Sequence, residues 1–181
     1  MAAAPHESAR VVDGPMTEAQ ARALLGAEVC AEIDRWLAKY PPDRKRSAVL
    51  AALRAAQHHN GGYLTRSLMD AVAVYLDLVP LQVYEVGSFY SMLETRPVGR
   101  HSVSVCTNIS CMLRGAENLV SYIERKLEVK LGASTADGRI HFKREEECLA
   151  ACCGAPMMMV DHVYHENLTP EKIDRILDAL E

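Results

Sequence analysis

The sequence predicts an α+β chain in which an N-terminal helical bundle segment precedes an α/β domain. Apolar residues recur at helical spacing between about residues 17 and 95. After Arg100 the pattern changes to short alternating runs separated by turns and further helices. Five of the six cysteines fall in this second part, which is therefore where the chemistry is expected.

Taken in order, the first helix opens with Thr17 and Gln20 in capping-box spacing and places Leu25, Val29, Ile33, Trp36 and Tyr40 on one face. Pro41 and Pro42 end it. A second helix is expected after Asp43, with Val49, Leu53 and Ala56 inward, stopping at Asn60–Gly62. A third starts near Thr65 and runs through Leu68, Val72 and Leu76; a fourth follows Pro80 through LQVYEVGSFYSML. In the second part HSVSV alternates as a half-buried strand does. CTNISC reads as a loop, and Ala116, Leu119, Ile123 and Leu127 mark a helix over 112–127. GRIHFKR alternates again, with Ile140 and Phe142 on one side, and PMMMV reads as a short buried strand. A last helix has Thr169 as its cap and Pro170 at its first position, and it presents Ile173, Ile176, Leu177 and Leu180. The expected divisions are a flexible N-terminus over 1–16, a helical segment over 17–95 and an α/β domain over 98–181.

Composition excludes several classes. The net charge is −4 with about a quarter of residues charged, so no basic stripe offers a nucleic-acid surface. No apolar run approaches the roughly 18 residues a membrane span requires, so direct membrane insertion is not expected. The first fifteen residues carry Glu7 and Asp13 and lack a long apolar stretch, unlike a secretion signal or an organelle presequence. The expected location is the cytoplasm, where thiols stay reduced and clustered cysteines bind metal or do redox work rather than form disulfides.

Cys30 lies within a helical pattern and reads as a small buried apolar residue. Cys106 and Cys111 form a C-x4-C pair where a strand hands over to a helix, and Cys148 and Cys152 form a C-x3-C pair between two strands. Two loops on the same edge of a small sheet could bring four thiolates together. Cys153 adjoins Cys152 and points the other way along an extended loop, although spacing alone also permits Cys148 with Cys153. Structural zinc sites favour C-x2-C knuckles, whereas these looser spacings suit a two-iron, two-sulfide cluster held by four thiolates. A ferric cluster of that kind carries a net charge of about −2, which suits peptide N–H groups at a helix start. Arg114 falls in the expected first turn, where a nearby anion would account for a cation; an ordinary solvated arginine is the alternative.

Three stretches, VCTNISCMLRGAENL, ECLAACCGAPMMMVD and YHENLTPEKIDRIL, resemble the thioredoxin-like 2Fe–2S subunit of NADH–quinone oxidoreductase, with VYEVGSFYSML and RPVGRHSVSV extending the match to about Tyr63–Glu181. The resemblance implies a thioredoxin-like ferredoxin domain over 98–181, with Cys106, Cys111, Cys148 and Cys152 as the ligands of a 2Fe–2S cluster and Cys153 outside the set. It implies a one-electron carrier with no catalytic side chain of its own. FMN would reside on a partner subunit that binds NADH, and residues 17–95 would serve as the docking segment. The chain would join other peripheral-arm subunits on the cytoplasmic face of a membrane-bound complex. The equivalent small subunit of an NAD-linked formate dehydrogenase or hydrogenase shares the cysteine pattern, and a four-cysteine zinc module is the rival of a different class.

The remaining motifs read blandly. His58 and His59 close a helix, where a cation suits the dipole, and His162 and His165 flank an expected turn. Met157, Met158 and Met159 read as core packing. Neither G-x-G-x-x-G nor G-x4-G-K-[ST] occurs, so the isolated chain is not expected to oxidise NADH.

Overall fold

The computed structural model describes residues 15–144 and 148–181. The flexible N-terminus expected over 1–16 therefore lies outside the described residues up to position 14. The chain divides into two compact units, 1–96 and 97–181.

The first unit is helical. Helix α1, Glu18–Leu37, starts at a complete capping box: Thr17 Oγ1 accepts from the Gln20 N–H, and the Thr17 N–H donates to Gln20 Oε1 at 2.8 Å. Gly26, at φ +79°, breaks its helical geometry midway, a kink the apolar periodicity does not reveal. The second helix begins later than expected. Residues Pro42–Ala48 form a 3-10 turn first, and α2 occupies Val49–His59. Helix α3, Arg66–Leu76, is capped by the Thr65 hydroxyl. Helix α4, Pro80–Phe89, stops short of the expected Leu93, because Tyr90 is extended. Leu25, Val29, Ile33, Leu53, Ala56, Leu68, Val72 and Leu76 meet in one buried core, as their spacing predicts.

The second unit is built on a five-stranded sheet in the order β2-β3-β1-β4-β5, where β1 is His101–Val105, β2 Ala133–Ser134, β3 Ile140–Phe142, β4 Met158–Val160 and β5 Val163–His165. Strands β1 and β3 are parallel, with Val103 opposite Phe142; β4 runs antiparallel to β1, with Met158 opposite Val105. The C-terminal ends of β1 and β3 and the start of β4 therefore share one edge. Alternate residues Val103, Val105, Ile140, Phe142, Met158 and Val160 face a core completed by Leu119 and Ile123 of α6, Ala116–Leu127, and by Ile173 and Leu177 of α7, Pro170–Asp178. The short strands β2 and β5 were not apparent in the sequence. β5 returns from β4 through Asp161 and His162, both at positive φ, so His165 is a strand residue rather than a turn flank.

The helix expected over 112–127 is two helices. A five-residue helix α5, Ile109–Leu113, precedes α6, and Gly115 at φ +85° separates them. Cys111 lies inside α5, and Arg114 is its C-cap rather than a first-turn residue. A cation suits a helix C-terminus, so its position in the helix requires no anion.

Candidate metal centre

Both cysteine loops leave the same sheet edge. Cys106 directly follows β1 and is held there by its N–H, which donates to the Met157 carbonyl at 3.2 Å. The other loop leaves β3, carries Cys148, and enters a 3-10 turn at Cys152–Gly154 before β4. Parallel pairing of β1 with β3 and antiparallel pairing of β1 with β4 bring the loop back to the edge it left.

The four thiols expected as ligands come together. Cys148 Sγ lies 3.8 Å from Cys152 Sγ. Cys106 is within hydrogen-bonding reach of both Cys111 and Cys148. The result is a chain of thiol contacts. Among the described residues no three His, Cys, Asp or Glu side chains converge as ligands of a single ion would. A tetrahedral metal with bonds to sulfur of about 2.3 Å sets its ligand sulfurs about 3.8 Å apart, which the second pair matches. A donor set of two thiol pairs is what a two-iron cluster takes.

The pairs differ in environment. Cys106 and Cys111 are buried with Ala116, Leu149, Ala155 and Met157, while Cys148 and Cys152 are exposed. Burial pushes the Cys106 thiol up, but N–H donors of Leu149 and Asn108 and the neighbouring Cys111 and Cys148 outweigh it, so its pKa falls below the ordinary thiol value. Burial, with Cys106 beside it, pushes Cys111 to about 11 against a bond from the Met157 N–H. At Cys148 the Ala150 N–H, 3.4 Å from the sulfur, favours the thiolate, yet Cys152, slight burial and Cys106 together raise its pKa. Every one of these three sulfurs thus has at least one backbone N–H aimed at it. Such bonds stabilise anionic sulfur and tune a cluster, and sequence inspection cannot foresee them because they come from main chain.

Cys153 is also exposed, in the same 3-10 turn. Cys30 is buried in the core of the first unit, where its helical spacing puts it. Arg114 Nη1 donates to the Ala155 carbonyl at 3.4 Å, tying the first cysteine loop to the turn that follows the second. His58 and His59 occupy the last turn of α2. His165 is less basic than an ordinary imidazole, chiefly through burial and then through Lys172.

Residues 33–181 match the model of the thioredoxin-like [2Fe-2S] ferredoxin family. That match reaches further back than Tyr63 and includes most of the helical segment. A Rickettsia bellii protein, named as the E subunit of NADH-quinone oxidoreductase, is 41% identical over 142 residues, covering 78% of this chain and 84% of the relative. The mitochondrial NADH dehydrogenase [ubiquinone] flavoprotein 2 of Dictyostelium discoideum is 36% identical over 153 residues, covering 84% of this chain and 62% of its own. Among solved structures, an NAD+-reducing [NiFe]-hydrogenase in the air-oxidised state aligns with a TM-score of 0.60 and 20% identity. The alignment covers 72% of this chain and 22% of that one, so this chain spans about a fifth of the hydrogenase chain and shares its fold there.

Proposed function

The chain belongs to the thioredoxin-like [2Fe-2S] ferredoxin family, and from that premise we propose that it is the one-electron carrier subunit of an NADH–quinone oxidoreductase. Cys106, Cys111, Cys148 and Cys152 would hold the cluster. When bound, the 2Fe–2S group supplies a site that accepts and releases one electron at a time. The observation that carries the reading is the meeting of four thiols from two loops, arranged as pairs, on one edge of the sheet.

The chain's own residues do three things there. The buried first pair, packed with Leu149, Ala155 and Met157, keeps water from half of the site. N–H donors of Asn108, Leu149, Ala150 and Met157 favour the anionic sulfurs. The exposed second pair leaves an approach for a redox partner. Beside the first pair, Ile109, Met112 and Leu113 of α5 expose apolar surface, which supports a protein contact there. In the first unit Val79, Leu81, Phe89, Tyr90 and Met92 are exposed as well, which supports a docking role for residues 17–95. The expected partner is the NADH- and FMN-binding subunit of the same complex. Among the described residues no helix is long and apolar enough to cross a membrane; the place proposed for the chain is the periphery of the complex, on its cytoplasmic face.

The hydrogenase likeness favours a second reading, the equivalent small subunit of an NAD-linked hydrogenase or formate dehydrogenase. At 20% identity that likeness carries the fold, whereas the relative at 41% identity carries the NADH-quinone oxidoreductase name. The test mixes the purified chain with NADH, with and without the flavin-bearing subunit, and follows the visible absorbance of the cluster. Bleaching is expected only with the flavin subunit present. A colourless, zinc-loaded protein would overturn the reading in favour of a structural module.

A further inference from the structure

We propose that Glu166 is a positioning residue for the second cysteine loop, holding Cys152 in place by filling the space beside Gly154. The proposal rests on the reading of Cys148 and Cys152 as cluster ligands. Gly154 ends the 3-10 turn that begins at Cys152, and it is buried. A Cβ built on Gly154 would lie 2.5 Å from the Cβ of Glu166 and still closer to its Cδ and Oε2. Contacts that short do not occur between real carbon atoms. Gly154 is not among the glycines at positive φ, so a larger residue is excluded there by space and not by backbone conformation.

Glu166 cannot simply swing aside, because its Cβ moves only with its main chain. That main chain is fastened at several points. The Lys172 ammonium donates to the Glu166 carbonyl. The Asn167 N–H donates to the Gly154 carbonyl at 2.6 Å, and the Leu168 N–H donates to the Pro156 carbonyl at 2.9 Å. Leu168 is itself part of the buried core under the sheet. The segment 166–168 is thus anchored to α7 and the core on one side and bonded to the cysteine turn on the other. Cys148 and Cys152 are exposed, as are Glu166 and Asn167, so the turn is held by the close Glu166–Gly154 approach and by the backbone bonds of 167 and 168 rather than by burial of the thiols. Groups that orient ligands in this way matter almost as much as the ligands.

The test uses the full chain loaded with iron and sulfide. Gly154→Ala should lose most of its cluster, read as iron and sulfide per chain and as visible absorbance. Gly154→Ala with Glu166→Gly should regain the cluster and the wild-type EPR line shape, because both the side chain and its Cβ are gone. Gly154→Ala with Glu166→Ala should not, since the 2.5 Å clash with Cβ persists. A Gly154→Ala chain that keeps a full, spectroscopically unchanged cluster would overturn the proposal. So would a folded double variant, Gly154→Ala with Glu166→Gly, that stays empty. Should Gly154→Ala fail to fold, Glu166→Gly alone decides. It should release iron to a chelator faster than wild type and shift the EPR line shape, with Glu166→Gln restoring both; a wild-type rate would refute the brace. A wild-type chain without iron and sulfide would instead refute the cluster reading itself.

Discussion

Ala150 offers a clean perturbation of the site. It lies between the two cysteines of the second loop in the left-handed region, at φ +59°, and its N–H donates to Cys148 Sγ at 3.4 Å. The side chain is exposed, so a change there removes no buried packing. An L-residue in this conformation costs about 1–2 kcal/mol. Glycine removes that strain but gives the unfolded chain extra freedom worth about 0.5–1 kcal/mol. Ala150→Gly should therefore stabilise the loop by about 0.75 kcal/mol, the difference between the centres of the two ranges. With an m value of about 2 kcal/mol/M, the urea midpoint rises by roughly 0.4 M. Anaerobic urea titrations of the loaded chain, followed by circular dichroism and by cluster absorbance, would measure it. The reduction potential should stay the same, because the N–H···S bond is retained. Ala150→Pro, which removes that N–H and forces φ to about −65°, should lose the cluster. A midpoint that falls in the glycine variant would refute the reasoning, since it would mean that Ala150 is not held in the left-handed region in solution.

Three further outcomes are expected. Serine at Cys106, Cys111, Cys148 or Cys152 should bleach or destabilise the cluster, whereas Cys153→Ser should leave its EPR signal intact; the reverse result for Cys152 and Cys153 would exchange their roles. His101 bonds Asp161 Oδ2 through Nδ1 at 2.6 Å and the Glu181 main-chain oxygen through Nε2 at 2.9 Å, and its pKa is raised, chiefly by the Asp161 bond. Its contribution, about 1 kcal/mol for a partly exposed charge-assisted pair, is complete below the unfolded value of about 6.5 and fades as pH rises through the raised folded value. Unfolding titrations of wild type and His101→Gln across that range should converge at high pH. Arg114→Ala should lower the reduction potential without removing iron, read by redox-poised EPR; an unchanged potential would leave Arg114 only its helix C-cap and its bond to the Ala155 carbonyl.

What the sequence made legible follows from the kind of signal each feature carries. Caps and apolar periodicity are local, so Thr17, Thr65 and Thr169 mark true helix starts, and Ile140 with Phe142 marks a true strand face. The splitting of 109–127 was hidden because Gly115 is one glycine in an otherwise helical pattern, and only its φ of +85° shows it acting as a break. β2 and β5 are two and three residues long, too short for alternation to register. At the site, cysteine spacing suggested the pairs, but the sulfur-directed N–H groups of Asn108, Leu149, Ala150 and Met157 have no side-chain signature. The brace at Glu166 was equally invisible, since nothing in GAP announces which residue fills the space beside its glycine.

Topology explains how such loosely spaced cysteines can act together. Cys111 and Cys148 are separated by α6, β2 and β3. In an unfolded chain, closing a loop of nearly forty residues costs about 3 kcal/mol in the length-dependent part alone. The fold closes that loop in advance. α6 crosses over from β1, β3 returns parallel beside it, and both strands deliver their following loops to one edge. Leu119 and Ile123 on the crossover helix bury against Val103, Val105 and Phe142, so hydrophobic burial rather than metal binding can hold the two halves of the site together. Each half then needs only short-range precision. α5 and the bridge from Cys106 to Met157 set the first pair, and the 3-10 turn bonded to Asn167 and Leu168 sets the second. A thiol set organised this way by its scaffold can keep its geometry through repeated changes of cluster charge, which is the property a one-electron carrier requires of its ligands.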